Sequence, residues 1–360
     1  MSNRDYDLLG SDAENAVKTG LATAQWYNSD IPRKTMKSLM KRSDAPAIRD
    51  TIILFSSMIL LAAFATYLMP SFWSVPAWLA YGVLYGSAMD SRWHECGHGT
   101  PFRTPWMNDV LYQIASFCMI RNPITWRWSH ARHHTDTVIV GRDPEIVAMR
   151  PPQLRMILLN LFGIYDAPQG LWRMLLDAVG NHDSEELSFI PQSEHYKLAR
   201  VARIWVLIYA LVIGLAILFN SIIPLLIIGL PRLYGTWHQV LTGVLQHAGL
   251  ADNVIDHRLN SRTVYMNPMS RFIYWNMNYH IEHHMYPMVP YHKLPQLHEL
   301  LKDDFPTAST SIWQAYREVI PILRKQLNNE DFFLTRELPK TAKPYLELNR
   351  NASSQRLKQM

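Results

Sequence analysis

The sequence has 360 residues, 48% of them hydrophobic, and a formal net charge of +5 at neutral pH. Its two cysteines are too few for a disulfide framework or for the thiolate ligands of an iron–sulfur cluster within this chain. The basic residues form no patch interleaved with aromatic residues, so the composition gives no indication of nucleic-acid binding.

Apolar residues are concentrated in four stretches that follow a polar N-terminal lead. The stretches are Ile52–Met69, Phe72–Met89, Val201–Asn220 and Ser221 to about Leu245. Helices of about 20 apolar residues cross a bilayer. We therefore predict an all-α integral membrane protein with four transmembrane helices in two hairpins. Core helices of a soluble protein are the alternative for any one stretch, and Pro231 and Arg232 leave open a fourth span that breaks and re-forms.

The distribution of basic residues predicts the topology. Lysine and arginine are absent from the short links within each hairpin but frequent in 90–200 and 250–360. Positive charge marks the cytosolic side of a membrane protein. We predict a multi-pass membrane protein with both termini and the active site on the cytosolic side. Its segments would be a polar N-terminal lead (1–48), a membrane domain (49–302) and a cytosolic helical C-terminal tail (303–360).

Eight of the 15 histidines lie in three short clusters. The clusters are His94 and His98 in H-E-C-G-H, His130, His133 and His134 in H-A-R-H-H, and His280, His283 and His284 in H-I-E-H-H. Spacings of three and four residues place side chains on one face of a helix. Neutral imidazole is a ligand for iron and zinc. We therefore predict a shared metal site, with enough imidazoles for two ions.

This arrangement resembles the membrane-bound fatty acid desaturase/hydroxylase superfamily over roughly 50–302. The segment 278–287, N-Y-H-I-E-H-H-M-Y-P, is similar to the third histidine box of the acyl-lipid desaturase branch. The resemblance implies a cytosolic helical cap with a histidine-rich di-iron site, two Fe²⁺ ions, and O₂ as co-substrate. It also implies an external electron donor, either a ferredoxin or a cytochrome b5 with its reductase, and a lipid or alkyl substrate.

The resemblance also implies which residues bind the metal. It extends the ligand role from the boxes to His247, which lies 33 residues before the third box. The implied ligands are His94, His98, His130, His133, His134, His247, His280, His283 and His284. The acyl-CoA branch has an asparagine four residues before the position of His247, where this chain has Gly243, so the acyl-lipid branch is favoured. No catalytic residue apart from the ligands is implied.

Nearby polar residues are candidates for orienting the ligands. A metal-bound histidine usually donates its other ring N–H to a carboxylate, a carbonyl or water. Asp136 and Asp143 follow the second box and Asn278 precedes the third, so we predict this role for them. Glu95 and Glu282, within the boxes, are further candidates. The alternative for each acid is an ordinary charge on the cytosolic surface.

The predicted function is an O₂-dependent, non-haem di-iron oxidoreductase that desaturates an acyl chain of a lipid. The alternative is a hydroxylase or monooxygenase of the same superfamily acting on an alkyl chain or a small amphipathic metabolite, because both reactions begin by abstracting one hydrogen. The segment from His94 to His98 also matches the H-E-x-x-H motif of zinc membrane proteases, but that role leaves six clustered histidines unused. A metal transporter is disfavoured because the clusters lie outside the apolar stretches.

Overall fold

The computed structural model describes residues 4–346, and within this range the protein is helical with two isolated β-bridges and no strands. The N-terminal half contains α1 (Ser11–Lys18), α2 (Arg33–Leu39), α3 (Asp44–Tyr67), α4 (Ser74–Val83), α5 (Met89–Gly97), α6 (Pro105–Met119), α7 (Pro123–Thr135), α8 (Leu154–Asn160) and α9 (Asp166–Ala178). The C-terminal half contains α10 (Ser184–Phe189), α11 (His195–Leu218), α12 (Ile223–Ile227), α13 (Pro231–Tyr234), α14 (Trp237–His247), α15 (His257–Asn260), α16 (Pro268–Tyr274), α17 (His280–Met285), α18 (Leu294–Leu301) and α19 (Ile312–Gln326).

The first two apolar stretches form a packed helical pair. The first forms most of α3, which begins before the apolar run and ends at Tyr67, two residues before the run ends. The second runs through α4, a π-helical turn at Leu84–Ala88, and α5 without a break in the helical backbone. Leu54 and Ala65 of α3 are buried in one core cluster with Trp78 and Tyr81 of α4. This pair carries the chain directly into the first histidine cluster.

The third and fourth stretches differ from each other. The third is one helix, α11, whereas the fourth is divided among α12, α13 and α14. Proline lies in the first turn of both α12 and α13, and Gly229 between them has φ +95°. Proline cannot supply the backbone N–H that a continuous helix needs. The fourth stretch therefore breaks and re-forms, which is one of the two outcomes that the sequence left open.

Two helical segments of the described chain are long and apolar enough to cross a membrane, Arg33–Tyr67 and Gln192–Leu218. Each contains all but the last two residues of one of the four predicted stretches. Their apolar side chains face outward: Leu60 is 69% exposed and Leu207 is also 69% exposed. A soluble core helix would bury such residues, so the exposed apolar surface is consistent with lipid contact.

The C-terminal helices pack onto the fourth stretch. Ala315 and Val319 of α19 are buried with Val244 and Leu245 of α14. The hydroxyl of Tyr316 donates to the carbonyl of Leu241 at 2.7 Å. Residues 347–360, the end of the predicted C-terminal tail, lie outside the described residues. The tertiary contacts thus fix α14, which carries His247 at its last position.

Candidate metal centre

The first histidine box is placed by the helix that continues from α4. His94 lies within α5 and His98 is the residue that follows its last turn. The π-helical turn at Leu84–Ala88 immediately precedes α5. Such turns insert one extra residue per turn and occur frequently at functional sites, because they rotate everything downstream of them. Here the downstream element is the one that aims the first box.

The second box is carried by α7, whose start is determined by local sequence. The side chain of Asn122 accepts from the backbone N–H of Ile124 at 3.1 Å, and Pro123 is the first residue of the helix. Both features favour helix initiation. The three histidines then occupy the last two turns. Beyond the helix, Thr137 donates its hydroxyl to the carbonyl of His133 at 2.7 Å and closes the end.

The third box lies on α17, a short helix that ends before Pro287. Asn278 holds its start against a distant segment, because its backbone carbonyl accepts from Val264 N and its Nδ2 donates to Val264 O, both at 2.9 Å. Every residue of α17 is buried. A six-residue helix is marginal on its own, so tertiary contacts determine its position.

All nine predicted ligands meet in two groups. The five-histidine group contains His94, His98, His130, His134 and His283. The four-histidine group contains His133, His247, His280 and His284. Within each group the donor nitrogens lie within 4.8 Å of one another. The second and third boxes contribute to both groups: in each box the two histidines four residues apart share a group, and the histidine between them joins the other group.

In the five-histidine group, ring nitrogens face one another at close range. The Nε2 atom of His130 lies 3.0 Å from His98 Nε2 and 3.2 Å from His134 Nε2. The Nε2 atoms of His134 and His283 are 3.1 Å apart. Since the Nδ1 atom of His130 is bonded to a carboxylate, its Nε2 presents a lone pair to both neighbours. One lone pair cannot satisfy two facing nitrogens, whereas a cation between them would.

The four-histidine group repeats this pattern. The Nε2 atom of His280 lies 3.0 Å from His247 Nε2 and 3.0 Å from His284 Nε2. Ligand nitrogens about 2.1 Å from one ion and at right angles to each other are about 3 Å apart. The donor spacing therefore fits a transition metal in each group. Imidazole is a ligand type that suits iron, among other metals.

The Nδ1 atoms of three ligands have carboxylate or carbonyl acceptors that fix the ring orientation, whereas those of His94, His134, His280 and His283 have no hydrogen-bond partner among the described residues. His130 Nδ1 donates to Glu145 at 2.9 Å, and His133 Nδ1 donates to Asp143 at 2.8 Å. His247 Nδ1 donates to the backbone carbonyl of Asn260 at 2.8 Å. A carbonyl or carboxylate at Nδ1 leaves the Nε2 lone pair free for a metal. The Nε2-facing arrangement is thus the consequence of these partners.

The residues predicted to orient the ligands differ in whether they contact a ligand histidine. Asp143 contacts a histidine of the second box, as just described. Asp136 instead pairs with Arg142 at 3.0 Å, and Asn278 bonds the backbone of Val264. Glu95 Oε1 lies 3.3 Å from His283 Nδ1 and 3.5 Å from His94 Nδ1. Glu282 points away from the ligands and bonds His298 and Thr263.

Three orienting groups were missed by the sequence reasoning: Glu145, the carbonyl of Asn260, and Thr137, whose Oγ1 is 3.2 Å from His284 Nδ1. Glu145 could have been found, because it follows Asp143 by two residues in the same loop. Asp143 accepts from the backbone N–H of both Val138 and Glu145, which folds the loop back over α7. A backbone carbonyl gives no sequence signal at all.

Burial sets the protonation of the centre. It lowers the pKa of most of the clustered imidazoles well below the ordinary histidine value, and His94, His134, His283 and His284 show this. Their neutral form is the metal-binding form. Burial alone would raise the pKa of Glu145, but the electrostatic interaction and the hydrogen bond with the His130 ring outweigh it and hold that pKa at about 2. Glu145 is therefore an anion beside a ligand.

A cavity of about 700 Å³ opens beside the two groups. Five clustered histidines line it: His94, His130, His133, His247 and His280. The apolar wall includes Trp93, Trp126, Val140 and Trp205. A cavity of this size suits a small or medium organic ligand. The cavity thus brings an organic ligand to the imidazoles of both groups.

Comparison with known proteins identifies the family. A profile of the fatty acid desaturase family matches residues 70–316, which is more than half of the chain. The chain belongs to the fatty acid desaturase family. The matched range contains all nine clustered histidines. The family assignment makes this chain an oxidoreductase of lipid metabolism.

Individual desaturases are more distant relatives. The chain is 24% identical over 290 residues to an endoplasmic reticulum acyl-lipid omega-3 desaturase (cytochrome b5) of Arabidopsis thaliana, covering 73% of this chain and 72% of that protein. It is 24% identical over 274 residues to a chloroplastic, temperature-sensitive sn-2 acyl-lipid omega-3 desaturase (ferredoxin) of the same plant, covering 71% and 61%. It is 22% identical over 343 residues to an acyl-lipid (9+3)-(E)-desaturase of Dimorphotheca sinuata, covering 83% and 88%.

The geometry of the site does not fit the zinc protease alternative. His94 and His98 share their group with three further histidines instead of leaving an open position beside a general base. Glu95, the base of that motif, is fully buried, and burial raises its pKa to about 8. It is absent from the cavity wall. A protonated carboxyl without access to the cavity cannot activate water for attack on a peptide.

Proposed function

We propose that this protein is a membrane-bound di-iron desaturase that introduces a double bond into an acyl chain of a lipid. The observation that carries the proposal is the pairing of two imidazole groups, with Nε2 atoms 3.0–3.2 Å apart, beside one cavity. The nine clustered histidines would be the ligands. A bound pair of ferrous ions would supply activation of O₂ and removal of hydrogen from an unactivated C–H bond.

The protein's own residues would orient the metal ligands, exclude water and position the substrate. Glu145 and Asp143 keep the protons of His130 and His133 on Nδ1, so that Nε2 faces the metal. Trp93 and Trp126 form part of the apolar wall that excludes water from the reacting carbon. His94 and His280, one from each group, both border the cavity, so a substrate there lies against both metal positions.

The reaction needs electrons from outside this chain. Desaturation converts –CH₂–CH₂–, O₂, two electrons and two protons into –CH=CH– and two waters. The names of two relatives include cytochrome b5 and ferredoxin. We infer that a one-electron carrier of one of these classes docks on the cytosolic face, together with its reductase.

We further propose the two-hairpin topology, with 1–48 and 303–360 flanking a membrane domain at 49–302. Two helices long enough to span, and exposed apolar residues at both hairpin tips, support it. Phe72 is 78% exposed and Phe219 is 66% exposed. Single cysteines at 72 and 219, in a background lacking Cys96 and Cys118, would react with an impermeant thiol reagent only from the non-cytosolic side.

Product analysis tests the activity. The chain, supplied with a matched donor, is incubated with membrane lipids and free alkyl substrates, and products are identified by mass. Loss of two hydrogens supports desaturation. Gain of one oxygen supports the alternative, a hydroxylase of the same family acting on an alkyl chain or a small amphipathic metabolite. If the protein binds two irons and neither mass change is found, both functions are contradicted.

Two substitutions test the ligand assignment group by group. His283→Ala removes a ligand from the five-histidine group, and His133→Ala removes one from the four-histidine group. Each should lower the iron content by about one ion per chain and abolish product, while the protein stays in the membrane. His182→Ala, a histidine outside both groups, is the control. Full iron content in either ligand variant would contradict the assignment.

A further inference from the structure

The wall of the cavity contains one buried cation that forms no ion pair with a carboxylate of the described residues. Arg232 lines the cavity and is 2% exposed. Its Nη1 donates to the carbonyl of Gly86 at 3.1 Å and to Gln239 Oε1 at 2.9 Å, both uncharged acceptors. Its Nε has no partner among the described residues. A buried guanidinium without a carboxylate is costly, and in an apolar segment it indicates a functional site.

The other charged groups of the cavity wall near Arg232 are already engaged. Asp90 pairs with Arg121 at 3.1 Å. The carboxylate of Asp166 accepts from Asn160 Nδ2 at 2.7 Å. No carboxylate of the described residues forms an ion pair with Arg232, although Asp90 and Asp166 border the same cavity. Asp90 and Asp166 therefore already accept hydrogen bonds from other residues, and within the described part of the chain no carboxylate is in direct contact with the Arg232 guanidinium.

The position of Arg232 relative to the metal centre follows from the helix it contacts. Gly86, Asp90 and His94 lie four residues apart on the continuous run from the π-helical turn into α5. Asp90 and His94 lie one turn apart on the same face of α5, and Gly86 lies in the π-helical turn just before it, so about two turns of helix separate Gly86 from His94. Arg232, Asp90 and His94 all border the cavity. A molecule anchored at Arg232 would therefore meet His94 about two helical turns away.

We propose that the substrate is an amphiphile whose anionic end, a carboxylate or a phosphate, pairs with Arg232 while its alkyl part extends to the clustered histidines. This inference rests on the proposed function and narrows its substrate class. Arginine binds both anions through two parallel N–H donors, so the guanidinium explains recognition of either. The Trp93 and Trp126 rings line the path of the alkyl part.

Binding of small probes tests the proposal without turnover. The full chain in nanodiscs, without O₂ or donor, is titrated with 10-bromodecanoate, whose bromine quenches the cavity tryptophans. Decanoate, decyl phosphate, decan-1-ol and decyltrimethylammonium then compete for the site. We expect one or both anions to displace the probe at a concentration about tenfold or more below that of the alcohol. Better displacement by decanoate indicates a free acid, and by decyl phosphate a phosphorylated head group.

Variants assign the preference to Arg232. Arg232→Gln should lower the affinity for the two anions to that for decan-1-ol. Arg232→Lys should restore part of the difference in affinity between the anions and the alcohol. Arg92→Gln is the matched control, because Arg92 is also fully buried without a carboxylate but lies outside the cavity wall. If Arg232 serves only to hold Gly86 and Gln239, its loss would lower thermal stability and leave the anion preference intact.

Three results would overturn the proposal: equal displacement by decanol and both anions, strongest displacement by decyltrimethylammonium, or unchanged anion preference in Arg232→Gln. These outcomes are distinct from a failure of the proposed function. A chain that binds two irons and desaturates a lipid but shows no anion preference would refute only the role of Arg232. A chain that prefers anions but forms no product would refute only the reaction.

Discussion

Neutral imidazoles bring no negative charge to the metal centre, so the carboxylates behind them decide its charge balance. Glu145 and Asp143 each accept a hydrogen bond from a ligand Nδ1. A carboxylate in this position raises the basicity of the imidazole and fixes its tautomer. The fold therefore supplies anionic character through hydrogen bonds, and the metal positions keep only neutral donors.

The role of Glu145 gives a prediction at the residue scale. Glu145→Gln keeps the size of the side chain but removes the charge beside His130. We expect iron affinity to fall by about 10- to 100-fold, the usual effect of losing such a partner. Iron retained against increasing chelator concentration measures it. Glu194→Gln, which removes an acid paired with Lys197 on the surface, is the control. Equal chelator resistance would show that Glu145 does not support the ligand.

A second residue-scale prediction concerns pH. Burial, and then the charge of Asp177, raise the pKa of Glu186 to about 7. The folded state therefore holds a proton that the unfolded chain releases at its lower ordinary pKa. This group costs stability as pH rises from about 4.5 to 7, and the full cost, on the order of 1–3 kcal/mol as an upper range, persists above pH 7.

Glu186→Gln should remove that cost. The variant should unfold at a higher temperature than the natural protein at pH 8 and at a similar temperature at pH 4.5. Thermal unfolding at both pH values is the measurement, with Glu185→Gln as the neighbouring control. A variant that is less stable at pH 8 would show that the ionised carboxylate contributes a favourable contact.

At the scale of elements, the break in the fourth apolar stretch determines how its helices pack. Its segments lie against α4 and the π-helical turn: Tyr81 donates its hydroxyl to Ile227 O at 2.8 Å, and Ser87 donates to Gly235 O at 2.6 Å. The same turn supplies the Gly86 carbonyl that holds Arg232. One continuous helix could not place α12, α13 and α14 against this surface. The break thus positions both the arginine and the helix that ends in His247.

The contact between Gly82 and Gly235 gives the prediction at this scale. A Cβ atom on Gly235 would overlap the backbone of Gly82. Gly235→Ala should therefore destabilise the protein by about 1–3 kcal/mol through overpacking. Thermal unfolding measures this, and Gly214→Ala is the control because a Cβ there meets no atom within 4 Å. Equal stability of both variants would mean that the backbones separate easily at this crossing.

At the scale of the whole molecule, the chain combines an outward apolar surface with a buried polar centre. Leu211 and Leu218 are 61% and 75% exposed, whereas His280 and His283 are 1% and 0% exposed. The apolar surface suits a lipid environment, and the centre lies where α5, α7, α14 and α17 converge. A buried centre receives substrate through the cavity, and electrons have to cross protein from the surface.

The need for an outside donor is the prediction at this scale. The purified protein with NADPH alone should give no product, because no flavin or haem motif is present in its sequence. Adding a reduced ferredoxin or cytochrome b5 should start turnover, and the rate should fall with rising salt if charged surfaces guide docking. Product formation from NADPH and the isolated chain would contradict an external donor.

The sequence by itself determined the local features. The spacing of histidines indicated that each box lies on a helix, and the apolar runs marked the long helices α3 and α11. The boxes and their family resemblance also gave the nine candidate ligands before any fold was known. These properties follow from periodicity and composition, which act over a few turns of chain.

Only the tertiary structure decided which histidines share a group and what stands behind them. His283 joins the first box while His284, its neighbour, joins His247, because adjacent side chains on α17 point to different sides. The Asn260 carbonyl and the cavity position of Arg232 likewise depend on segments that are distant in sequence. Backbone acceptors carry no residue signature, so no local pattern contains this information.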